Sequence, residues 1–148
     1  MDTFSRAERS EIMRRVHSEN TCPERSVRSI LHRLGYRFRL HGRVLPGTPD
    51  IVLPKYETVV FVHGCFWHRH PNCPRASMPA SNQSYWHDKF QRTISRDKSN
   101  TALLRRMGWR VVIVWECELK HPIVYVRACV AFLRCAMNHH EFSCSMKT

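Results

Sequence analysis

The segment "DIVLPKYETVVFVH", residues 50–63, decides the fold of this chain. It holds two short apolar runs, 51–53 and 58–62, and the stretch 54–57 between them has the residues of a turn. Short apolar runs bounded by turn residues are typical of strands that are buried on both faces. The segment therefore predicts two paired, buried strands, and Asp50 opens the first of them.

Helices and a further strand are predicted on both sides of this pair. Pro23 suits the first turn of a helix that ends at Gly35, and its apolar stripe consists of Val27, Ile30, Leu31 and Leu34. Residues 36–40 alternate like a strand with one face in water. A long helix is predicted from about residue 82 to 107, followed by a fully buried strand at 109–116. These elements predict an α/β or α+β fold with one central mixed sheet.

Length and composition indicate a single folded domain. A chain of 148 residues is long enough for one hydrophobic core. We expect a basic N-terminal arm or helix at 1–20, one domain at 21–140 with a closing helix at 123–137, and a tail at 141–148. The sequence contains no apolar run long enough for a secretory signal or a membrane span, so the cytoplasm is the expected location.

The charge and the cysteines narrow the classes of function. A net charge of +12, with more arginine than lysine, favours a polyanion such as nucleic acid as partner, although a merely basic protein is the plainer alternative. The seven cysteines are an odd number in a chain with no export signal. Metal binding or simple burial is therefore expected rather than a disulfide framework.

Cysteine and histidine cluster directly after the second predicted strand. Cys65, His70 and Cys73 have C-x4-H-x2-C spacing, which supplies three of the four ligands of a tetrahedral zinc ion. Cys117 is the candidate fourth ligand, because it ends the strand at 109–116 and adjacent strands would bring both ends to one rim. The alternative is that these cysteines are small buried apolar residues. The polar, proline-containing loop favours zinc.

Three acidic residues occupy positions with possible chemical use. Asp50 is either a turn residue or, at the rim of a sheet, a ligand of a hard divalent cation. Glu24 lies on the inward face of its helix, and its sequence context alone favours an acid stabilised by the helix dipole. Asp97 interrupts the apolar stripe of the long helix. It is either paired with a histidine of the 63–70 loop, as in a general base, or exposed at a helix edge.

Large aromatic residues accompany the ligand loop. Phe66 and Trp67 flank Cys65, and Tyr85 and Trp86 open the long helix. Most aromatic residues belong to a core. Beside basic residues and a metal-held surface loop, we expect them to be exposed and suited to insertion between DNA base steps.

Several motifs together resemble the very-short-patch repair endonucleases, which are mismatch-specific nicking enzymes. The motifs are "GTPDIV", "VFVHGCFWHRH", "YWHDKF", "SRD" and "GWRVVIVWEC", and the resemblance covers about Ser5 to Cys117. It implies a restriction-endonuclease-like domain with a catalytic Mg²⁺ and a structural Zn²⁺. It further implies cleavage on the 5′ side of the thymine in T·G mismatches that arise from 5-methylcytosine deamination. It also implies a functional link to a cytosine-5 DNA methyltransferase, mismatch-repair proteins as partners, and a monomeric enzyme.

The resemblance also implies roles for the catalytic residues. Asp50 and the backbone carbonyl of Val62 would bind Mg²⁺, and Glu24 would contact the metal site through water, which overrides its plainer interpretation. His68 would be the catalytic histidine, with Asp97 as its acidic partner. A second histidine near the scissile phosphate would be His63, and with His68 it stands where related nucleases carry a lysine.

The remaining implied roles concern zinc and DNA. The zinc ligands would be Cys65, His70, Cys73 and Cys117. The aromatic wedges in the major groove would be Phe66, Trp67 and Trp86. Met13, on the N-terminal arm, would be a wedge in the minor groove. The basic residues on the DNA backbone would be Lys89 and Arg96. Two other functions are considered: a restriction-type endonuclease of the same fold that cuts intact sites, and a non-catalytic zinc-containing DNA-binding module.

Overall fold

The computed structural model describes residues 19–120 together with Glu8, Glu11 and Arg14. Its strands are β1 (Arg39–Leu40), β2 (Ile51–Leu53), β3 (Thr58–His63) and β4 (Arg110–Trp115). Its helices are α1 (Cys22–Arg33) and α2 (Gln83–Arg106), with short 3-10 turns at Pro54–Tyr56, Pro74–Ala76 and Glu118–Lys120. Met13, the predicted closing helix at 123–137, the tail at 141–148 and most of the predicted arm at 1–20 lie outside the described residues.

The strands form one mixed sheet in the order β1-β2-β3-β4. β2 and β3 are antiparallel, with Ile51 opposite Val60, whereas β3 and β4 are parallel, from Thr58 opposite Arg110 to His63 opposite Trp115. Parallel neighbours need a crossover connection, which here contains the ligand loop and α2. The mixed sheet with two helices confirms the predicted α/β class.

The β2–β3 hairpin forms the centre of the core, as its sequence predicts. Ile51, Leu53 and Val59 are fully buried, and each contributes roughly 1.5 to 3 kcal/mol by leaving water. α1 covers this hairpin with Val27 and Leu31. The predicted strand pair and its turn are therefore confirmed.

Both helices end as the glycines predict. Gly35 and Gly108 have φ angles of 82° and 86°, in the left-handed region that favours glycine. In each case the glycine N–H and the following N–H bond back to carbonyls of the last helical turn, which is the Schellman arrangement. Leu34 is the C-cap of α1 and is 49% exposed, so its predicted place in the buried stripe is wrong. Its side chain lies beyond the last turn that faces the core.

Two strand predictions need correction. The strand predicted at 36–40 is reduced to β1, because its partner β2 is only three residues long. The strand predicted as fully buried is β4, where Val114 alone is buried. Within the described range β4 pairs only with β3, so its other edge has no neighbouring strand.

The described part of the chain contains no helix that is both long and apolar enough to cross a membrane. The cytoplasmic location stays a prediction. The cysteines in the described part of the chain are Cys22, Cys65, Cys73 and Cys117, and all four are free thiols.

Candidate active site

One cleft of 890 Å³ brings together the acidic and histidine residues singled out in the sequence. The N-terminus of α1, the start of β2, the end of β3 and the middle of α2 border it. Its lining includes Glu24, Asp50, His63, His68 and Asp97. Residues that are far apart in the sequence, such as Glu24 and Asp97, therefore face one space.

His68 and Asp97 form a close pair in this cleft. His68 Nδ1 lies 2.6 Å from Asp97 Oδ2, and each side chain is 22% exposed. Burial would raise the pKa of Asp97, but the hydrogen bond and positive charge of His68 outweigh it and hold this pKa below its usual value. The predicted pairing of Asp97 with a loop histidine is confirmed over the exposed-edge alternative. Nδ1 carries the hydrogen of this bond, so Nε2 of a neutral His68 can accept a proton.

His63 completes the histidine part of the cleft. It ends β3, is 7% exposed, and stacks on His68 with ring centroids 3.8 Å apart and planes at 9°. Burial, reinforced by the charge of His68, lowers the pKa of His63 from 6.5 to about 4. His63 is therefore neutral at neutral pH and presents one N–H donor and one acceptor nitrogen.

Asp50 lines the same cleft and lies directly before β2. Its Oδ2 accepts a 2.7 Å hydrogen bond from the N–H of Val62. Burial raises the pKa of Asp50 in spite of this bond, and the nearby charge of Glu24 adds to the increase. Ligand atoms of Asp50, Glu24 and His41 lie within 4.8 Å of one another, a geometry that could hold a metal ion.

Glu24 is buried, as its inward helical position predicts. It belongs to a capping box with Thr21, the N-cap of α1. Its carboxylate accepts from the N–H groups of Asn20 and Thr21, from the Thr21 hydroxyl, and from Arg28. A water-mediated contact to a metal, as implied by the resemblance, would require one of these bonds to be exchanged.

The Cys/His cluster, formed by Cys65, His70, Cys73 and Cys117, lies behind the cleft. All four ligand atoms are within 4.8 Å of one another. His70 Nδ1 is 3.6 Å from Cys65 Sγ and 3.2 Å from Cys117 Sγ. Burial raises the pKa of the Cys65 thiol to about 12, which a bound cation would reverse. The parallel pairing of β3 and β4 brings Cys65 and Cys117 to one rim, as predicted.

The aromatic residues differ from one another in exposure, and Tyr85 is exposed as expected, at 53%. Trp86 is only 7% exposed, so the prediction that it is an exposed aromatic is wrong. It packs against Phe66, Trp67 and Phe90 because the ligand loop folds back onto α2. Phe66 and Trp67 are half-buried. The Lys89 ammonium lies over the rings of Trp67 and Trp86, at 5.2 and 5.3 Å.

Three residues near the site carried no sequence signal. His41 and its partner Arg28 lie next to Asp50 and Glu24. Glu116 follows β4, and its carboxylate accepts a 3.2 Å hydrogen bond from the N–H of Cys65. Arg96 lines the cleft with a side chain that is 64% exposed. Unlike those three residues, Arg96 had been singled out in the sequence, as a residue for DNA backbone contacts.

Known proteins resemble this chain over most of its length. The profile of the family described as DNA mismatch endonuclease Vsr matches residues 1–75. The type II nicking enzyme V.XorIIP of Xanthomonas oryzae pv. oryzae is 51% identical over 118 residues, covering 80% of this chain and 86% of the relative. The type II nicking enzyme V.NmeAIP of Neisseria meningitidis serogroup A is 43% identical over 123 residues, covering 83% and 87%. The DNA mismatch endonuclease Vsr of Escherichia coli K12 is 40% identical over 119 residues, covering 80% and 76%.

The cleft and these likenesses define the class as a DNA endonuclease, a hydrolase that cleaves DNA and whose class implies a divalent metal. More narrowly, the chain belongs to the Vsr family of DNA mismatch endonucleases.

Proposed function

We propose that this protein nicks duplex DNA on the 5′ side of the thymine in T·G mismatches that arise when 5-methylcytosine deaminates. The observation that carries the proposal is the His68–Asp97 pair, which shares one cleft with Asp50. A histidine oriented by a carboxylate, in the same cleft as a second carboxylate suited to a cation, is an arrangement that can hydrolyse a phosphodiester. The name of the Escherichia coli relative supports a mismatch as the target.

The Asp50 corner of the cleft fits Mg²⁺ as the divalent cation. Hard cations prefer oxygen ligands, and the raised pKa of Asp50 reflects a carboxylate charge that a cation would stabilise. The Val62 N–H points to Asp50, and both backbone polar groups of a strand residue face the same side, so its carbonyl is the second proposed ligand. Glu24 adds a second negative charge. When bound, the ion would supply positive charge to the attacked phosphate and activate water.

The histidines then perform the proton chemistry. His68 Nε2 takes the proton of the attacking water, while Asp97 orients the ring and stabilises the resulting imidazolium. His63, which is neutral, donates a hydrogen bond to the phosphate or to the leaving oxygen. The leaving oxygen takes up a proton from solvent as its bond to phosphorus breaks, and the protonated His68 returns its proton to solvent, so the cut strand carries one new hydroxyl and one new phosphate end.

A structural Zn²⁺ is proposed at the Cys/His cluster. Tetrahedral zinc with thiolate and imidazole ligands sets sulfur and nitrogen atoms about 3.5 Å apart. The separations of 3.2 and 3.6 Å between His70 Nδ1 and the two sulfurs fit that geometry. We also propose that residues 21–140 form one restriction-endonuclease-like domain, because an acid that opens the first strand of a hairpin in a mixed sheet fits that arrangement.

DNA binding is proposed for the surface around the cleft. Phe66, Trp67 and Trp86 are proposed to insert beside the mismatch, where unstacking costs least. Since Trp86 is buried against its neighbours, insertion would require this aromatic group to open. Lys89 and Arg96 would hold the phosphate backbone, and Met13 would act in the minor groove. The proposed biological context is a cytosine-5 methyltransferase and mismatch-repair proteins, with the enzyme as a monomer.

A nicking assay on matched, T·G and other mismatched duplexes tests the proposal. The expected result is a single cut 5′ of the mismatched thymine, with loss of at least about a thousandfold in rate for Asp50→Ala and His68→Ala and retained DNA binding. Asp88→Ala and His87→Ala, which change exposed residues of α2, are matched controls. Cutting of paired DNA as fast as T·G DNA would reject the mismatch role.

Cleavage of intact sites is the second candidate. The relatives named type II nicking enzymes favour it, because their names state nicking and do not mention a mismatch. The same duplex panel separates the candidates. No nicking of any duplex by wild type, with Asp50→Ala altering nothing beyond DNA affinity, would instead favour a non-catalytic DNA-binding module.

A further inference from the structure

His41 occupies a constrained position on the cleft wall. Its φ angle is 48°, in the left-handed region that non-glycine residues seldom adopt. Its N–H donates to the carbonyl of Asp50 at 3.1 Å, and the next N–H, of Gly42, donates to the carbonyl of Pro49. Such a conformation is unfavourable for a residue with a side chain and persists where surrounding contacts impose it. The turn therefore holds the His41 ring beside Asp50.

Arg28 determines which nitrogen of His41 carries the proton. Arg28 Nη2 donates to Glu24 Oε2 at 2.9 Å and lies 3.3 Å from His41 Nε2. A guanidinium is always protonated and can only donate. Nε2 must therefore accept this hydrogen bond, and a neutral His41 carries its hydrogen on Nδ1. The Arg28 side chain is 13% exposed, and Asn20 fixes its other terminal nitrogen at 2.7 Å.

This hydrogen-bonding pattern excludes His41 from metal coordination. A metal ligand needs a free lone pair on a ring nitrogen. Nε2 already accepts from Arg28, and Nδ1 is protonated, so closeness to Asp50 and Glu24 does not make His41 a ligand. Glu24 is likewise engaged, because roughly four acceptor positions of a carboxylate meet the four donors from Asn20, Thr21 and Arg28.

We propose that Glu24 and Arg28 hold His41 as the Nδ1–H tautomer, and that this N–H donates to a phosphate oxygen of the DNA bound at Asp50. His41 is then a substrate-binding residue, and Arg28 and Glu24 are positioning residues that act through it. The inference rests on the proposed function, because DNA supplies the phosphate. A neutral donor suits this place, since it binds the anion without repelling a cation held by Asp50.

The tautomer can be measured on the protein without DNA or magnesium. Nitrogen NMR of histidine-labelled protein distinguishes a protonated from an unprotonated ring nitrogen. We expect His41 to carry its proton on Nδ1, and we expect Arg28→Met and Glu24→Gln to give a mixture of tautomers. Glutamine preserves the capping box, so Glu24→Gln tests the charge rather than the cap. A wild-type His41 protonated on Nε2 would overturn the proposal.

Substitutions at His41 provide an independent functional test. The side-chain nitrogen of asparagine is placed like Nδ1, that of glutamine like Nε2, and glycine removes the group while suiting the left-handed backbone. We expect His41→Gly and His41→Gln to weaken binding of the T·G duplex about tenfold, and His41→Asn to stay within about threefold. Binding restored by glutamine but not by asparagine would contradict the proposal. His32→Asn, at an exposed position of α1, is the control.

Calorimetry with Mn²⁺ alone separates a phosphate donor from a metal ligand. The Mn²⁺ affinity should change less than about twofold in His41→Gly but be lost in Asp50→Ala. Equal losses in both variants would make His41 a ligand and refute the proposal. The NMR and Mn²⁺ measurements require no cleavage. They can therefore contradict the role of His41 while T·G nicking is observed. They can equally support that role while the nicking panel contradicts the proposed function.

Discussion

The Cys/His cluster and the cleft both begin at the end of β3, yet they use neighbouring residues in opposite ways. His63 and Cys65 are two positions apart, and both are buried. The ligand atoms of Cys65, His70, Cys73 and Cys117 face one another and leave no open position, as in a structural zinc site. In the cleft, Asp50 and the outer nitrogen of His68 face space that a substrate can enter.

The two proposed metal sites at this one rim of the sheet differ in the chemistry of their ligand atoms. Soft sulfur ligands select zinc, whereas carboxylate and carbonyl oxygens select magnesium. The Glu116 carboxylate accepts from the N–H of Cys65 and also lines the cleft, so the two regions share a wall. The cluster is therefore expected to govern stability, and the cleft is expected to govern rate.

The largest expected effect is the loss of stability when a ligand of the Cys/His cluster is removed. Cys117→Ser should remove bound zinc and lower the free energy of unfolding by at least about 3 kcal/mol, because structural zinc contributes directly to folding. Zinc stoichiometry and chemical denaturation measure both quantities. Cys22→Ser changes an exposed cysteine and should alter stability by less than about 0.5 kcal/mol. Retention of one zinc per chain by Cys117→Ser would remove the distinction between the two regions.

The next effect is on rate, with folding preserved. Asp97→Asn should lower nicking of the T·G duplex by about a hundred- to ten-thousandfold, because the amide no longer stabilises a protonated His68. Zinc content and duplex affinity should stay unchanged, which single-turnover kinetics and fluorescence anisotropy can establish. Asp88→Asn alters an exposed acid on the same helix and is the control. A parallel loss of zinc would mean that Asp97 acts through the fold.

Local signals in the sequence predicted much of the fold and of both regions. The 50–63 hairpin follows from two apolar runs around a turn, and Gly35 and Gly108 end their helices through backbone preferences that need no tertiary partner. The pairing of Asp97 was one of two alternatives that the sequence left open, because a carboxylate within an apolar helical stripe requires a partner only if that part of the stripe is buried.

Features that depend on distant segments could not be predicted. His41 reaches Asp50 through a left-handed turn, and its partner Arg28 comes from another element. The burial of Trp86 depends on Phe66 folding back over α2. β4 is as apolar as β3 and yet is half-buried, because burial depends on the number of neighbouring strands rather than on composition.

The smallest effect concerns the dependence of stability on pH in the cleft. The pKa of His63 is about 4 in the folded protein, against an ordinary value of 6.5, because burial and the charge of His68 disfavour its protonation. Between these values the unfolded chain binds more protons, so stability conferred by neutral His63 is present above pH 6.5 and is lost as pH falls towards 4.

Chemical denaturation without magnesium should therefore show a fall in the free energy of unfolding between pH 7 and about 4.5. We expect this fall to be larger in wild type than in His63→Phe by on the order of 2 kcal/mol. Asp50 acts in the opposite direction, because its raised pKa makes the folded state bind protons more readily as pH falls. Comparing wild type with His63→Phe cancels that contribution, since both retain Asp50. His87→Phe, at an exposed histidine of α2, should follow the wild-type curve. Parallel curves for wild type and His63→Phe would mean that His63 is protonated as readily in the fold as in water, which would remove its role as a neutral donor.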